Sequence, residues 1–183
     1  MAAHTAPLPV LAKLPNALTI ARFALIPVFI VLLAQAEGGH SWAAGIVFGV
    51  AAITDQVDGW LARRWHVESE FGKYADPLAD RLMIDAAVIL LWHAGRLPWI
   101  ALAIPARDVA LVAGYKLVVD RGYDFSVNLA GKAATWLLYA SLAFIMVTRE
   151  STDWPLWIFW AGVVLAAIAL GGYLLKARRE VAT

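Results

Sequence analysis

Asp55, Asp58, Asp76 and Asp80 place four carboxylates within 26 residues of a chain that is 62% hydrophobic. A charged side chain near the middle of a bilayer costs roughly 2.5 to 3.5 kcal/mol on insertion scales, so acids beside apolar helices generally face a cavity, a partner or a metal. The first pair stands at i, i+3 and the second at i, i+4. Both separations put side chains on one helical face, so two helices would each present an acidic edge. Four clustered carboxylates repel one another unless a cation is shared among them, which also favours their ionised forms. Mg²⁺ and Mn²⁺ prefer oxygen ligands, usually carboxylates together with phosphate oxygens. Two such ions roughly 3.5 to 4 Å apart would hold a pyrophosphate and stabilise a leaving phosphate, so the chemistry indicated is displacement at phosphorus.

Helices must carry these acids, and the composition says what kind. With 183 residues, nine Trp and 16% charged residues, and a mean hydropathy of +0.69, the chain is too apolar for an ordinary soluble domain and too short for several domains. The expected fold is an all-α polytopic membrane protein, one domain over residues 1–183. Its six expected spans run roughly over Ala17 to Ala36, Trp42 to Leu61, Ala75 to Trp92, Leu97 to Val118, Leu129 to Thr148 and Trp154 to Leu175. Residues 1–15 read as an N-terminal interfacial segment: Pro7 and Pro9 disfavour a helix, and Val10, Leu11 and Leu14 flank Lys13. The first apolar run is long and lacks a small-residue cleavage site, so it is expected to stay. Arg96 and Arg149 fall on one side and Arg107 within a span, while the rest of the 15 Lys and Arg fall on the other side or at its helix ends. That bias puts both termini, and the acid-rich connection between the second and third spans, in the cytoplasm. The Trp residues at 42, 92, 99, 154, 157 and 160 fall at outer span ends, as in an aromatic belt. A net charge of +1 argues against nucleic-acid binding, the four His lack ligand spacing, and the absence of Cys excludes disulfides and thiolate chemistry.

Between the acids stand Gly59, Ala62, Arg63 and Gly72, giving D-x2-D-G-x2-A-R-x8-G-x3-D-x3-D from Asp55 to Asp80. This pattern resembles the signature of the CDP-alcohol phosphotransferases, membrane enzymes that make phospholipids from a CDP-linked donor and an alcohol acceptor, and all eight signature positions are filled. The resemblance implies Asp55, Asp58 and Asp76 as ligands of Mg²⁺ or Mn²⁺, two ions in all, with Asp80 completing the site and acting as general base toward the acceptor hydroxyl. It further implies CDP-diacylglycerol as donor, CMP as product and a homodimer at the cell membrane. Asp58, Gly59, Ala62, Arg63 and Gly72 would receive the donor, the small residues leaving room for a nucleotide and Arg63 neutralising the pyrophosphate. Close helix packing is the structural alternative for Gly59 and Ala62.

Near the start, Asn16, Thr19 and Arg22 form P-N-x-x-T-x-x-R with Pro15, a pattern resembling the glycerophosphate-using branch of the family. They would approach the donor, and a helix cap at Asn16 accounts for that residue equally well. Arg107 and Asp108 interrupt an apolar span, and an intramembrane Arg suggests a buried anion. The resemblance places acceptor-phosphate recognition on Arg107 and Lys132. The structural alternatives are an Arg107–Asp108 ion pair and a positive-inside anchor at Lys132.

The expected acceptor is glycerol 3-phosphate, to which the FGKYADPLAD stretch from Phe71 to Asp80 also points. That branch commonly has a further basic–acidic pair where Val112, Ala113, Gly114 and Tyr115 stand here, with Lys116 the only cation. GKAAT, Gly131 to Thr135, resembles actinobacterial relatives that take phosphatidylglycerol. Phosphatidylglycerol and an inositol phosphate are therefore the alternative acceptors. From another functional class, a small ion or proton transporter would spread its acids through the membrane depth rather than cluster them at one connection.

Overall fold

The computed structural model describes the backbone of residues 9–65, 70–110 and 129–181, and side chains over 20–54, 78–110, 131–169 and at 171. Everything described is helix or connection. In order come α1 (Pro9–Ala34), a 3₁₀ turn (Glu37–Gly39), α2 (Trp42–Trp65), α3 (Glu70–His93), a 3₁₀ turn (Trp99–Leu102), α4 (103–110), α5 (Leu129–Val147) and α6 (Trp154–Val181).

Five of the six expected spans coincide with a helix. The fourth begins as the 3₁₀ turn and α4, and its remainder, with Val112 to Lys116, lies outside the described residues. One expectation is corrected. Pro9 reads in sequence as disfavouring a helix, whereas α1 includes it and runs on through Pro15 and Pro27; residues 1–8, with Pro7, lie outside the described residues. Proline fits the first helical position because its missing N–H has no intrahelical partner there, and its fixed φ already suits a helix. Among the described residues no helix is long and apolar enough to cross a membrane.

The helices pack as a bundle in which α1 lies on both α2 and α3, α2 also meets α5, and α5 runs against α6. Its core is aromatic in the middle. Phe29 of α1 meets Phe48 of α2 with ring centroids 5.3 Å apart, and Phe48 meets Tyr139 of α5 at 5.2 Å. Met83, Val88 and Leu91 of α3 and Leu142, Ile145 and Met146 of α5 are buried around them. Two glycines allow the close approaches. A Cβ at Gly45 of α2 would lie 2.5 Å from Val147 of α5, and Gly39 adopts φ +67° where a Cβ would lie 2.9 Å from Ala94.

Candidate functional site

The signature residues fall on two consecutive helices. Asp55, Asp58, Gly59, Ala62 and Arg63 occupy the C-terminal half of α2, while Gly72, Asp76 and Asp80 occupy the first half of α3. Both helices continue unbroken through the acids, so the i, i+3 and i, i+4 spacings are helical ones and each pair shares a helix edge. The side chains of Asp55, Asp58, Gly59, Ala62, Arg63, Gly72 and Asp76, and of Asn16 and Thr19 on α1, lie outside the described residues. Among the described residues no group of acids and histidines is placed to hold a metal ion.

Asp80 is within the described part and half-buried. Tyr139 anchors the backbone there: its hydroxyl donates to the Asp80 carbonyl at 3.4 Å, with its ring against Phe48. α5 is thereby tied to α3 at the signature's last acid. Arg22 of α1 is buried at 3% exposure in the same bundle, whereas Lys132, in the first turn of α5, is exposed.

Arg107 and Asp108 of α4 form the ion pair that sequence offered as one alternative. Arg107 donates to Asp108 Oδ1 through Nε at 2.9 Å and Nη2 at 2.8 Å. The same oxygen accepts from Nη1 of Arg81, on α3, at 3.3 Å. The Asp108 side chain is 5% exposed, and the two guanidiniums that cover it are 42% exposed for Arg81 and 38% for Arg107. Asp85, one turn along α3 from Arg81, lies within electrostatic reach of Asp108, Arg107 and Arg81. Its Oδ1 is buried without a hydrogen bond among the described residues. Two carboxylates and two guanidiniums thus balance in charge where a lone buried ion would be costly.

Sequence reading counted Arg81 only as a topological cation and passed over Asp85. Their i, i+4 spacing on a helix that becomes apolar after Asp85 was the available signal, since it puts both on one face. The bond to Asp108, 27 residues away, had no local signature.

At the opposite end of α3, Arg96 closes a different junction. It is 8% exposed, and its Nη2 donates to the carbonyls of Ile145 at 2.7 Å, Thr148 at 3.0 Å and Arg149 at 3.4 Å. Ile145 lies in the last turn of α5, whose carbonyls a helix leaves without partners, and Thr148 and Arg149 follow it directly. Burial pushes the guanidinium pKa down, and the nearby Glu150 carboxylate opposes that shift.

Residues 12–168 match the family model described as CDP-alcohol phosphatidyltransferase. A Bacillus subtilis protein named CDP-diacylglycerol--glycerol-3-phosphate 3-phosphatidyltransferase is 37% identical, over 80% of this chain and 86% of its own. A Mycobacterium tuberculosis protein named probable phosphatidylglycerophosphate synthase is 32% identical, over 93% of this chain and 84% of its own. An Escherichia coli K12 protein with the same name as the first is 30% identical over 86% of each chain.

Proposed function

Because this chain belongs to the CDP-alcohol phosphatidyltransferase family, we propose that it is the transferase that moves a phosphatidyl group from CDP-diacylglycerol to glycerol 3-phosphate and releases CMP. The observation that carries this reading is the match, across most of both chains, to relatives named for that donor and acceptor. The complete eight-residue signature on α2 and α3 supports it.

In this reading the acceptor hydroxyl oxygen attacks the phosphorus that bears diacylglycerol, the bond from that phosphorus to CMP breaks, and Asp80 takes the hydroxyl proton. Arg63 faces the donor pyrophosphate, with Asn16, Thr19 and Arg22 on the donor side and Gly59, Ala62 and Gly72 leaving room for the nucleotide. Arg107 and Lys132 receive the acceptor phosphate, and the half-exposed guanidinium of Arg107 supports that role. Asp55, Asp58, Asp76 and Asp80 would hold Mg²⁺ or Mn²⁺, in two sites. An all-oxygen donor set suits a hard divalent cation, which when bound supplies charge neutralisation at the pyrophosphate.

The chain works in the cell membrane as one domain of six spans and as a homodimer, with both termini and the acids in the cytoplasm. Large apolar side chains exposed along the helices support the bilayer: Ile20 (61%), Val31 (52%), Ile46 (58%), Ile53 (60%) and Ile168 (62%) would each meet lipid instead of water.

CMP release by purified protein tests the function, with CDP-diacylglycerol and Mg²⁺ or Mn²⁺ present and glycerol 3-phosphate, phosphatidylglycerol and inositol phosphate offered separately. The expected result is metal-dependent turnover with glycerol 3-phosphate. Turnover with only one of the others would transfer the acceptor assignment to it.

A further inference from the structure

Asp108 and the two arginines around it form an arrangement that an ion pair alone does not require. One buried carboxylate oxygen receives both guanidiniums, Arg107 through two nitrogens and Arg81 through one. An arginine has five N–H donors in a rigid fork. Arg81 uses one of them and Arg107 two, so each keeps donors that Asp108 does not occupy. The carboxylate is 5% exposed while the Arg81 and Arg107 side chains that meet it are 42% and 38% exposed, so both arginines remain accessible although Asp108 is not. Sharing one oxygen also keeps the guanidiniums close enough for a single phosphate to span both. Paired N–H donors on planar guanidiniums match phosphate oxygens, which a single flexible lysine does not.

We propose that Arg81 is a second acceptor-binding residue, reading the acceptor's phosphate jointly with Arg107, and that Asp108 is the positioning residue that holds the two guanidiniums side by side. The inference rests on the glycerol 3-phosphate reading above and deepens it. The ligand chemistry is a phosphate monoester carrying a free hydroxyl. Arg81 follows Asp80 directly in α3, so base and phosphate anchor leave one rigid helix at the same level but about 100° apart around its axis, a separation that a small acceptor would have to bridge. A short phosphorylated polyol held by its phosphate at Arg81 would keep its attacking hydroxyl in the neighbourhood of Asp80. Lys132, exposed and outside this cluster, then contributes charge rather than geometry.

Steady-state kinetics of CMP release, varying each substrate separately, test this in R81A, R81K and D108N, with direct binding of glycerol 3-phosphate to the purified proteins measured by calorimetry. R81A should raise KM for glycerol 3-phosphate about tenfold or more and weaken its binding in proportion, with KM for CDP-diacylglycerol unchanged. R81K should recover part of that loss, because charge returns without the fork. D108N should raise KM for glycerol 3-phosphate several-fold with kcat less affected, a split that mere loss of folded protein would not give. Wild-type protein that makes no product from glycerol 3-phosphate would overturn the acceptor reading and this inference with it. Wild-type turnover with KM for glycerol 3-phosphate unmoved in both R81A and R81K would overturn this inference alone.

Discussion

Asp80 combines a chemical demand with a structural one, since its carboxylate is assigned the acceptor's proton while its carbonyl accepts from Tyr139 across the α3–α5 contact. The two can be separated by substitution. Asp80→Asn keeps the backbone carbonyl and nearly the same volume but cannot take a proton, and general-base catalysis contributes on the order of 10² to 10⁴-fold. CMP release by that variant should therefore fall by about that factor, while its melting temperature in detergent stays near that of the unsubstituted protein; near-normal turnover would remove Asp80 from the base role. The acids, glycines and Arg63 of the signature were legible in sequence as a pattern of type and spacing, and the structure shows the two helices, α2 and α3, that carry them. Arg81 and Asp85 were not, because their meaning comes from Asp108, a partner on another helix that no local pattern specifies. Arg107 was legible as an unusual charge, and its bond to Asp108 was foreseen as an alternative to ligand binding, whereas the structure puts both arginines on that one carboxylate.

Whole helices follow from apolar run length, which is why α2, α5 and α6 begin at Trp42, Leu129 and Trp154 as the sequence indicated. How closely they approach depends on single small residues that a hydropathy window averages away. Gly45 and Gly49 lie one turn apart on α2 and differ in surroundings. A Cβ at Gly45 would strike Val147, whereas at Gly49 nothing lies within 4 Å. Gly45→Ala should destabilise the α2–α5 contact by about 1 to 3 kcal/mol, as overpacking does. Gly49→Ala should be neutral or stabilise by up to about 1 kcal/mol through helix propensity. Thermal unfolding of the two variants in the same detergent checks the contrast, and equal effects would refute the packing argument. The end of α5 depends on Arg96, which sequence placed on the outer side but could not show as buried, because its partners are backbone carbonyls about 50 residues away. Arg96→Met keeps the apolar stem and removes the donors. Hydrogen bonds from a charged group contribute about 1.5 to 3 kcal/mol. Arg96→Met should therefore lower unfolding stability by roughly that amount, read by the same melts, while KM for both substrates stays unchanged in the protein that remains folded.

At the scale of the molecule, the proposed function depends on which side of a bilayer the acids would face, and the sequence speaks to that through its Lys and Arg bias. For the proposed reaction the donor's nucleotide and a soluble acceptor phosphate would both reach α2 and α3 from water, which puts residues 66–69 on the cytoplasmic side of the proposed topology. The α5–α6 connection, with Arg149, Glu150 and Ser151 exposed, would fall on the other side in that topology. Because the sequence contains no Cys, single cysteines report topology without background. In intact cells a membrane-impermeant maleimide should label Ser151→Cys and leave Ser69→Cys unlabelled until the membrane is permeabilised, with both variants retaining CMP release. The opposite labelling pattern would invert the molecule and put the assigned metal and acceptor sites out of reach of cytoplasmic glycerol 3-phosphate. Labelling of both positions in intact cells would instead dispute the odd number of crossings between them. An inverted protein that still made product would require substrates from outside, so the labelling and the CMP assay together constrain side and activity more tightly than either does alone.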